Sequence, residues 1–400
     1  MKILAVHNRY QQPGGEDVVY EAETALLERA GHDVVRYERH NDDVEAMGRI
    51  DLLRRTISNP RTERDLDSLI AQERPDVMHC HNIFPLVSPA AYRAARRHGV
   101  AVVQTLHNYR LVCPDAGLMR EGRVCEDCLG KRLAWPGIAR GCYRSSHAGT
   151  AAVAGMAAWH RVRGTWTNAI DRYATPTAFV RTKFIEAGFP ADRIEAKLNF
   201  VSGDPPIGRG RGGYAVFVGR LSPEKGVDVL LEAWRRLSGD HGLKIVGDGP
   251  LAPMVRAAAE ADPRIEWLGH LPRSQVLATL GAARVLVMPS VWYETFGLCI
   301  AEAFATGTPA LVSDLGAMAE LVDDRTGVRV APGDPDTLVQ ALDAPFETMR
   351  SAARAAYEER FSETVALEAL LGLYRRALET AAAGHVHEPL SLTKPKAQTG

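Results

Sequence analysis

The chain predicts an α/β fold of two doubly wound halves, each a parallel sheet covered by helices. Three observations point there. Strand-like apolar runs alternate with helical periodicity along most of the length, the pattern of parallel strands joined by helical crossovers. The rhythm restarts after a Gly/Pro/Arg-rich stretch at residues 203–213, near the midpoint. Finally, 400 residues with 46% apolar and 7% aromatic content are too many for one core and enough for two.

In the first half, residues 3–6 form a continuous apolar strand. A turn at Pro13-Gly14-Gly15 leads into a helical pattern over 18–30, closed by Gly31. Strands follow at 34–37 and 76–80, then a helix at 88–98 closed by Gly99, then a strand at 100–106. The second half gives strands at 214–219, 243–246, 265–268 and 285–288, with helices at 227–237, 251–260 and 298–305. A further helical run, 363–380, arrives after the second sheet is complete. The polar, proline-bearing tail from His385 predicts disorder. Two such halves place a ligand cleft between them, at the carboxyl ends of the strands.

A net charge of −1 gives no global case for nucleic acid. The apolar run at the amino terminus is too short for a signal peptide, and the Ala/Gly-rich stretch 148–159 is too short to span a bilayer. The expected location is the cytoplasm, where thiols stay reduced.

Two segments carry chemistry. In 289–307, Glu302 is the one charged residue among apolar ones on the helix 298–305, so a buried carboxylate is expected there, in need of donors such as sugar hydroxyls or a cation. Gly297 lets the backbone approach a ligand, the helix start at Leu298 favours an anion, and Glu294 sits one turn outside it. The plain alternative is an internal salt bridge for Glu302 and a surface Glu294. In 218–226, Arg220 and Lys225 flank a strand-to-helix turn, an arrangement suited to a diphosphate. The alternative is a helix start capped by Ser222 with solvated charges.

With these residues in place, the sequence resembles the retaining nucleotide-sugar glycosyltransferases of family four. The resemblance rests on Glu294-x7-Glu302 with Phe296-Gly297 between, and on Gly219-Arg220-Leu-x-x-x-Lys225-Gly226; it runs from Met1 to about Arg376. It implies a GT-B architecture: two Rossmann-like domains facing across a cleft, with a C-terminal helix crossing back to the first domain. By resemblance, Glu294 lies beside the transferred sugar and its phosphate, and Glu302 holds the donor ribose. Arg220 and Lys225 neutralise the diphosphate, and His107, after the strand 100–106, assists at the donor sugar. Gly14 and Gly15 open a helix whose amides face the donor phosphate, with an ordinary tight turn as the alternative. Gly247 and Leu268-Gly269 resemble loops of the base pocket, with plain turns as the alternative, and Phe296, Gly297 and Leu298 join the expected donor-binding residues. No catalytic cofactor is expected, since two cations serve the leaving group. One departure is Gly316-Ala317-Met-Ala-Glu320, where the family often has adjacent glycines before the Glu.

The larger departure is an insertion carrying Cys113, Cys125, Cys128 and Cys142, spaced C-x11-C-x2-C-x13-C. The spacing suits a tetrahedral structural zinc; the alternative is reduced, buried thiols. Cys80 and Cys299 read as core residues, and His79 and His81 as polar packing near the cleft. Between Asp127 and Asp171 there is no acidic residue, while Lys131, Arg132, Arg140, Arg144, Arg161 and Arg163 are interleaved with Trp135, Trp159 and Trp166. That composition suits an anionic membrane face and a lipid-linked acceptor. Solvated arginines, core tryptophans and a soluble acceptor are the alternative.

The expected domains are therefore an acceptor domain (1–203) with the insertion at 108–147, a donor domain (204–361), a crossover helix (362–383) and a disordered tail (384–400). The expected function is transfer from a nucleotide-diphosphate donor, a uridine diphosphate sugar by resemblance, to a hydroxyl acceptor with retention, in polysaccharide or glycolipid assembly. Glycosylation of a soluble small molecule or natural product is the nearest alternative. A sugar-nucleotide epimerase, a phosphorylase and a non-catalytic nucleotide-sugar binding protein are the rivals of other classes.

Overall fold

The computed structural model describes residues 1–11 and 14–385. Pro13 of the expected turn and residues 386–400 of the expected disordered tail lie outside the described residues. The first half contributes β1 (Lys2–Arg9), β2 (Asp33–His40), β3 (Val77–Cys80) and β4 (Ala101–Thr105). A short antiparallel hairpin, β5 (Met119–Arg120) and β6 (Arg123–Val124), stands apart in the insertion. β7 (Arg172–Thr175) and β8 (Ile194–Ala196) then complete a parallel six-stranded sheet of order β2-β1-β3-β4-β7-β8. The second half supplies β9 (Tyr214–Val218), β10 (Gly242–Val246), β11 (Ile265–Gly269), β12 (Val285–Met288), β13 (Ala310–Ser313) and β14 (Gly327–Val330). They form a second parallel six-stranded sheet, of order β11-β10-β9-β12-β13-β14.

The strands read as unbroken apolar runs because helices cover both faces of each sheet. Side chains alternate between faces with period two. Leu4, Met78 and Val102 join the core beneath one face of the first sheet. Ile3, Val77, Ala101 and Val103 join the other, where Leu370, Leu373, Tyr374 and Ala377 of the helix Glu363–His385 pack on them. That helix therefore crosses back to the first sheet, as expected. In the second sheet, Val216, Leu286 and Val312 face the helices Leu298–Ala305 and Phe346–Arg360. Phe217, Val285 and Leu311 face the helix Val227–Arg236.

The structure revises several boundaries. The first helix begins at Gly15 rather than at Val18, because the Asp17 carboxylate accepts the Gly14 N–H at 2.7 Å and caps the turn. β1 runs on to Arg9, paired with β2 along its whole length, so polar His7 and Asn8 sit at its carboxyl end. β7, β8, β13 and β14, each three or four residues, are strands that the sequence reading did not mark, three of them because charged residues interrupt the apolar run. The Gly/Pro/Arg stretch, read as a linker, is strapped onto the second sheet's helices: Gly208, Gly210 and Gly212 donate to Thr306, Gly281 and Ala282 carbonyls at 2.8–3.0 Å. Arg350 and Arg354 in turn donate to the Gly208 and Pro205 carbonyls.

Candidate active site in the interdomain cleft

Both sheets point their carboxyl ends at a shared cleft of about 2600 Å³. On the second-domain wall the backbone comes first. The turn after β9 and the turn after β10 touch so closely that a Cβ at Gly247, where φ is +135°, would lie 1.9 Å from the Gly219 carbonyl oxygen. Only glycine fits there. Gly297, at φ +90°, caps the helix Leu298–Ala305 and turns its amino terminus toward the cleft, where a Cβ would also crowd Met288 and Ile300.

The side chains on this wall form two ion pairs and one free cation. Lys225 Nζ donates to Glu294 Oε1 at 2.6 Å, and Ser290 Oγ donates to the same oxygen at 2.8 Å. Burial works against the Lys225 charge, but Glu294 outweighs it and holds the ammonium above its ordinary range. Glu294 is 4% exposed, so its reading as a surface residue does not stand. Glu302 is buried and its pKa is pushed up by desolvation, which Arg273 partly offsets. Arg273 Nε lies 3.3 Å from Glu302 Oε1. The alternative of an internal salt bridge for Glu302 is thus realised: its own helix is apolar, but the cation arrives from the start of the helix Arg273–Ala282. Arg220 is exposed in the cleft and makes no ion pair or hydrogen bond with another described side chain.

On the first-domain wall, Gly14, Gly15 and Glu16 line the cleft at the start of the first helix. Tyr10 O–H donates to Glu16 at 3.1 Å and the Asn108 amide also donates to it; burial raises the Glu16 pKa. His107 lines the cleft on the same wall, with Nε2 3.0 Å from His81 Nδ1. Burial, then the neighbouring His7, Lys197 and His79, drives the His107 pKa well below the ordinary imidazole range, so the ring is neutral.

Some predicted residues lie elsewhere. Leu268 and Gly269 are off the cleft wall: Leu268 packs against the second core and the Gly269 carbonyl accepts the Gly247 N–H at 2.8 Å. The wall there is His270 to Arg273, one turn further on. Phe296 borders the cleft, but its ring packs edge-on against Phe361 at 5.9 Å and belongs to the core. Cys299, expected in the core, lines the cleft beside Lys225. Cys80 is core, as read. Glu320 lies outside the cleft and accepts the Ala178 and Phe179 amides at 2.9 and 2.7 Å. The four insertion cysteines share one neighbourhood. Burial raises the Cys128 thiol to about 11, with further contributions from Cys113, Cys142 and Cys125. Among the described residues, the set with three ligand atoms within 4.8 Å of one another is instead Glu23, His79 and His81.

Comparison with known proteins follows this geometry. The family model described as "Glycosyl transferase 4-like domain" matches residues 14–199, and "Glycosyl transferases group 1" matches residues 212–347. The chain belongs to the group 1 glycosyltransferases. It is 35% identical over 152 residues to "Glycogen synthase" of Mycobacterium tuberculosis, covering 36% of each chain. It is 32% identical over 203 residues to "D-inositol 3-phosphate glycosyltransferase" of Mycobacterium marinum, covering 46% of this chain and 43% of that one. The matches thus span about half or less of these curated relatives. Among solved structures, sucrose-phosphate synthase from Thermosynechococcus elongatus matches with a TM-score of 0.70 and 17% identity, over 95% of this chain and 100% of that one. Anabaena HepE in complex with UDP and glucose matches with a TM-score of 0.64 and 17% identity, over 96% and 100%. These likenesses bear on the fold.

For this group 1 glycosyltransferase, sequence reading missed Arg273, Glu16, Trp292 and Lys197. Arg273 follows Pro272 at a helix start, a position that reads equally well as solvated. Trp292 lies between Gly117 of the insertion, where an added Cβ would come 3.4 Å from its ring, and the Lys225 ammonium, 5.4 Å from its centroid. No spacing rule links residues that far apart in the chain.

Proposed function

We propose that this chain transfers a sugar from a nucleoside diphosphate sugar, a uridine diphosphate sugar in the first instance, to a hydroxyl acceptor with retention of configuration. One observation carries the reading: across a single cleft, the unpaired Arg220 and the Lys225–Glu294 pair surround a helix amino terminus and face His107. In the reaction, the acceptor oxygen bonds to the anomeric carbon as that carbon's bond to the diphosphate breaks. The acceptor's proton leaves with the departing diphosphate. Arg220, Lys225 and the Leu298 helix start stabilise the charge that develops there. Glu302, steadied by Arg273, accepts from the ribose hydroxyls. Retention rests on the resemblance. The family membership and HepE's complexes with UDP and UDP-glucose support the donor class.

The test is a panel of nucleotide sugars with released nucleoside diphosphate as the readout. Release that depends on an acceptor is expected. Conversion of donor without acceptor would indicate an epimerase, and binding without turnover a sensor.

For the acceptor we favour a lipid-linked sugar at the inner face of an anionic membrane. No helix of the described residues is long and apolar enough to cross a membrane. Leu133, Trp135, Trp159 and Val162 are exposed, and Arg161 Nη1 donates to the Lys131 carbonyl at 3.0 Å, bringing the helix His147–Val162 beside Lys131 and Arg132. Arg163 stacks on Trp159 at 4.6 Å. Trp166 does not join this face: it is buried and donates to the Ala157 carbonyl at 3.0 Å. Arg140 is paired with Asp127. Co-sedimentation with anionic vesicles at low salt is expected; protein left in the supernatant would favour a soluble acceptor.

The four insertion cysteines are proposed to hold a structural zinc through rotation of their side chains into one tetrahedron.

A further inference from the structure

We propose that Glu23 and His81 are positioning residues: the Glu23 carboxylate, anchored by the Lys197 ammonium, orients His81, which holds His107 with Nε2–H turned inward. His107 then offers an Nδ1 lone pair to a donor hydroxyl. The proposal rests on the sugar-transfer reading for its purpose, though not for its geometry.

Glu23, on the first helix, is 1% exposed, and Lys197, just beyond β8, is 4% exposed. Lys197 Nζ donates to Glu23 Oε1, which neutralises a carboxylate too deep to stand alone. The other oxygen, Oε2, is buried and has no hydrogen-bond partner among the described residues. Two imidazoles approach it: His81 Nε2 at 3.7 Å and His79 Nδ1 at 3.9 Å. His79 is already committed at both nitrogens, to Tyr374 O–H at 2.9 Å and Thr105 Oγ1 at 2.8 Å. His81 is therefore the ring left to answer Oε2.

The remaining step is proton placement. A neutral imidazole has one N–H and one lone pair. An anionic oxygen facing His81 Nε2 favours the proton there, which leaves His81 Nδ1 as an acceptor. His107 Nε2, 3.0 Å from it, must then be the donor. The two rings lie nearly parallel, 21° apart with centroids at 5.2 Å. With Nε2 spent, His107 meets the cleft with a bare Nδ1. Burial keeps both rings neutral, consistent with this chain of single donors. The trio of Glu23, His79 and His81 also has the spacing of a metal site, but Lys197 already supplies the cation Glu23 needs.

Nitrogen NMR of the imidazoles in the full chain tests the geometry without any activity. The Nε2–H form is expected for both His81 and His107; an Nδ1–H form at His107, or a metal ion found on the trio, overturns the proposal. Glu23→Gln, which keeps the shape and removes the charge, should lower kcat about tenfold or more with donor KM within about threefold. It should also leave His107 in a mixture of tautomers. Wild-type kcat in a folded Glu23→Gln overturns the proposal. Should that variant fail to fold, the wild-type spectrum decides alone. A wild-type chain that turns over no donor would defeat the sugar-transfer reading while the spectrum still judges the relay.

Discussion

The carboxylates show most clearly how a residue's role depends on what reaches it. Glu302 is buried on an apolar helix, and among the described residues Arg273 is the cation paired with it. Truncating it to alanine removes a charged acceptor, so Glu302→Ala should weaken donor binding by about 2 kcal/mol, read by calorimetry; unchanged affinity in a folded variant removes the ribose role. Arg220 and Lys225, the two cations proposed to serve the diphosphate, should behave differently. The Arg220 guanidinium pairs with no other described side chain, so Arg220→Ala should cost about two orders of magnitude in turnover and leave the melting temperature alone. Lys225→Ala should cost a similar factor and also lower the melting temperature, because it strands the buried Glu294. Equal melting temperatures for the two would refute the pairing. The histidines carry a pH signature. Burial holds His79 at about 4 and pushes His81 and His107 well below the ordinary 6.5. The unfolded chain therefore binds more protons than the folded one below pH 6.5. Stability from these rings is complete above that pH and is lost as pH falls toward 4. Thermal melts should drop steadily from pH 7 to 5, and a flat profile would count against the buried network.

At the scale of elements, the insertion between β4 and β7 is the part least determined by the doubly wound plan. Its loop meets Trp292 of the opposite domain through Gly117, and Lys183 pairs with Glu126 at 2.9 Å. A zinc knuckle there would brace one wall of the cleft. About one zinc per chain is expected on purification, and Cys125→Ser with Cys128→Ser should lower the melting temperature of the zinc-loaded protein. Metal analysis showing none, with four freely titrating thiols, would remove the metal. The C-x2-C pair was legible in the sequence because ligand spacing is local. The meeting of that loop with Trp292 was not. The helix start at Leu298 was legible for the same local reason, as were the apolar strands; the first helix was read three residues late, from Val18. β7, β8 and β14 were not legible, since their three or four residues mix charged with apolar side chains, and β13, as short and apolar as β3 and β12, was missed.

Across the whole molecule, the domains are joined by more than the chain that links them. The Glu320 carboxylate caps the helix Ala178–Glu186 of the first domain, and Phe179 packs edge-on against Tyr293 at 4.7 Å. The helix Glu363–His385 returns to the first sheet, where its Tyr374 bonds to His79. Glu320→Ala should expose the Ala178 and Phe179 amides to faster hydrogen exchange and lower the melting temperature modestly; full protection would show the cap to be dispensable. The sequence by itself determined the two doubly wound halves, the cleft at their carboxyl ends, and the short spacings that set Arg220 near Lys225 and Glu294 near Glu302. Those features are written in periodicity and short spacings, which act within one turn or one strand. Only the tertiary structure decided that Lys225 neutralises Glu294, that Arg273 neutralises Glu302, and that Lys197 reaches Glu23 from 174 residues away. Burial makes each of those charges costly alone, and the partner that offsets the cost is chosen by which backbones pack together, whatever their separation in the chain.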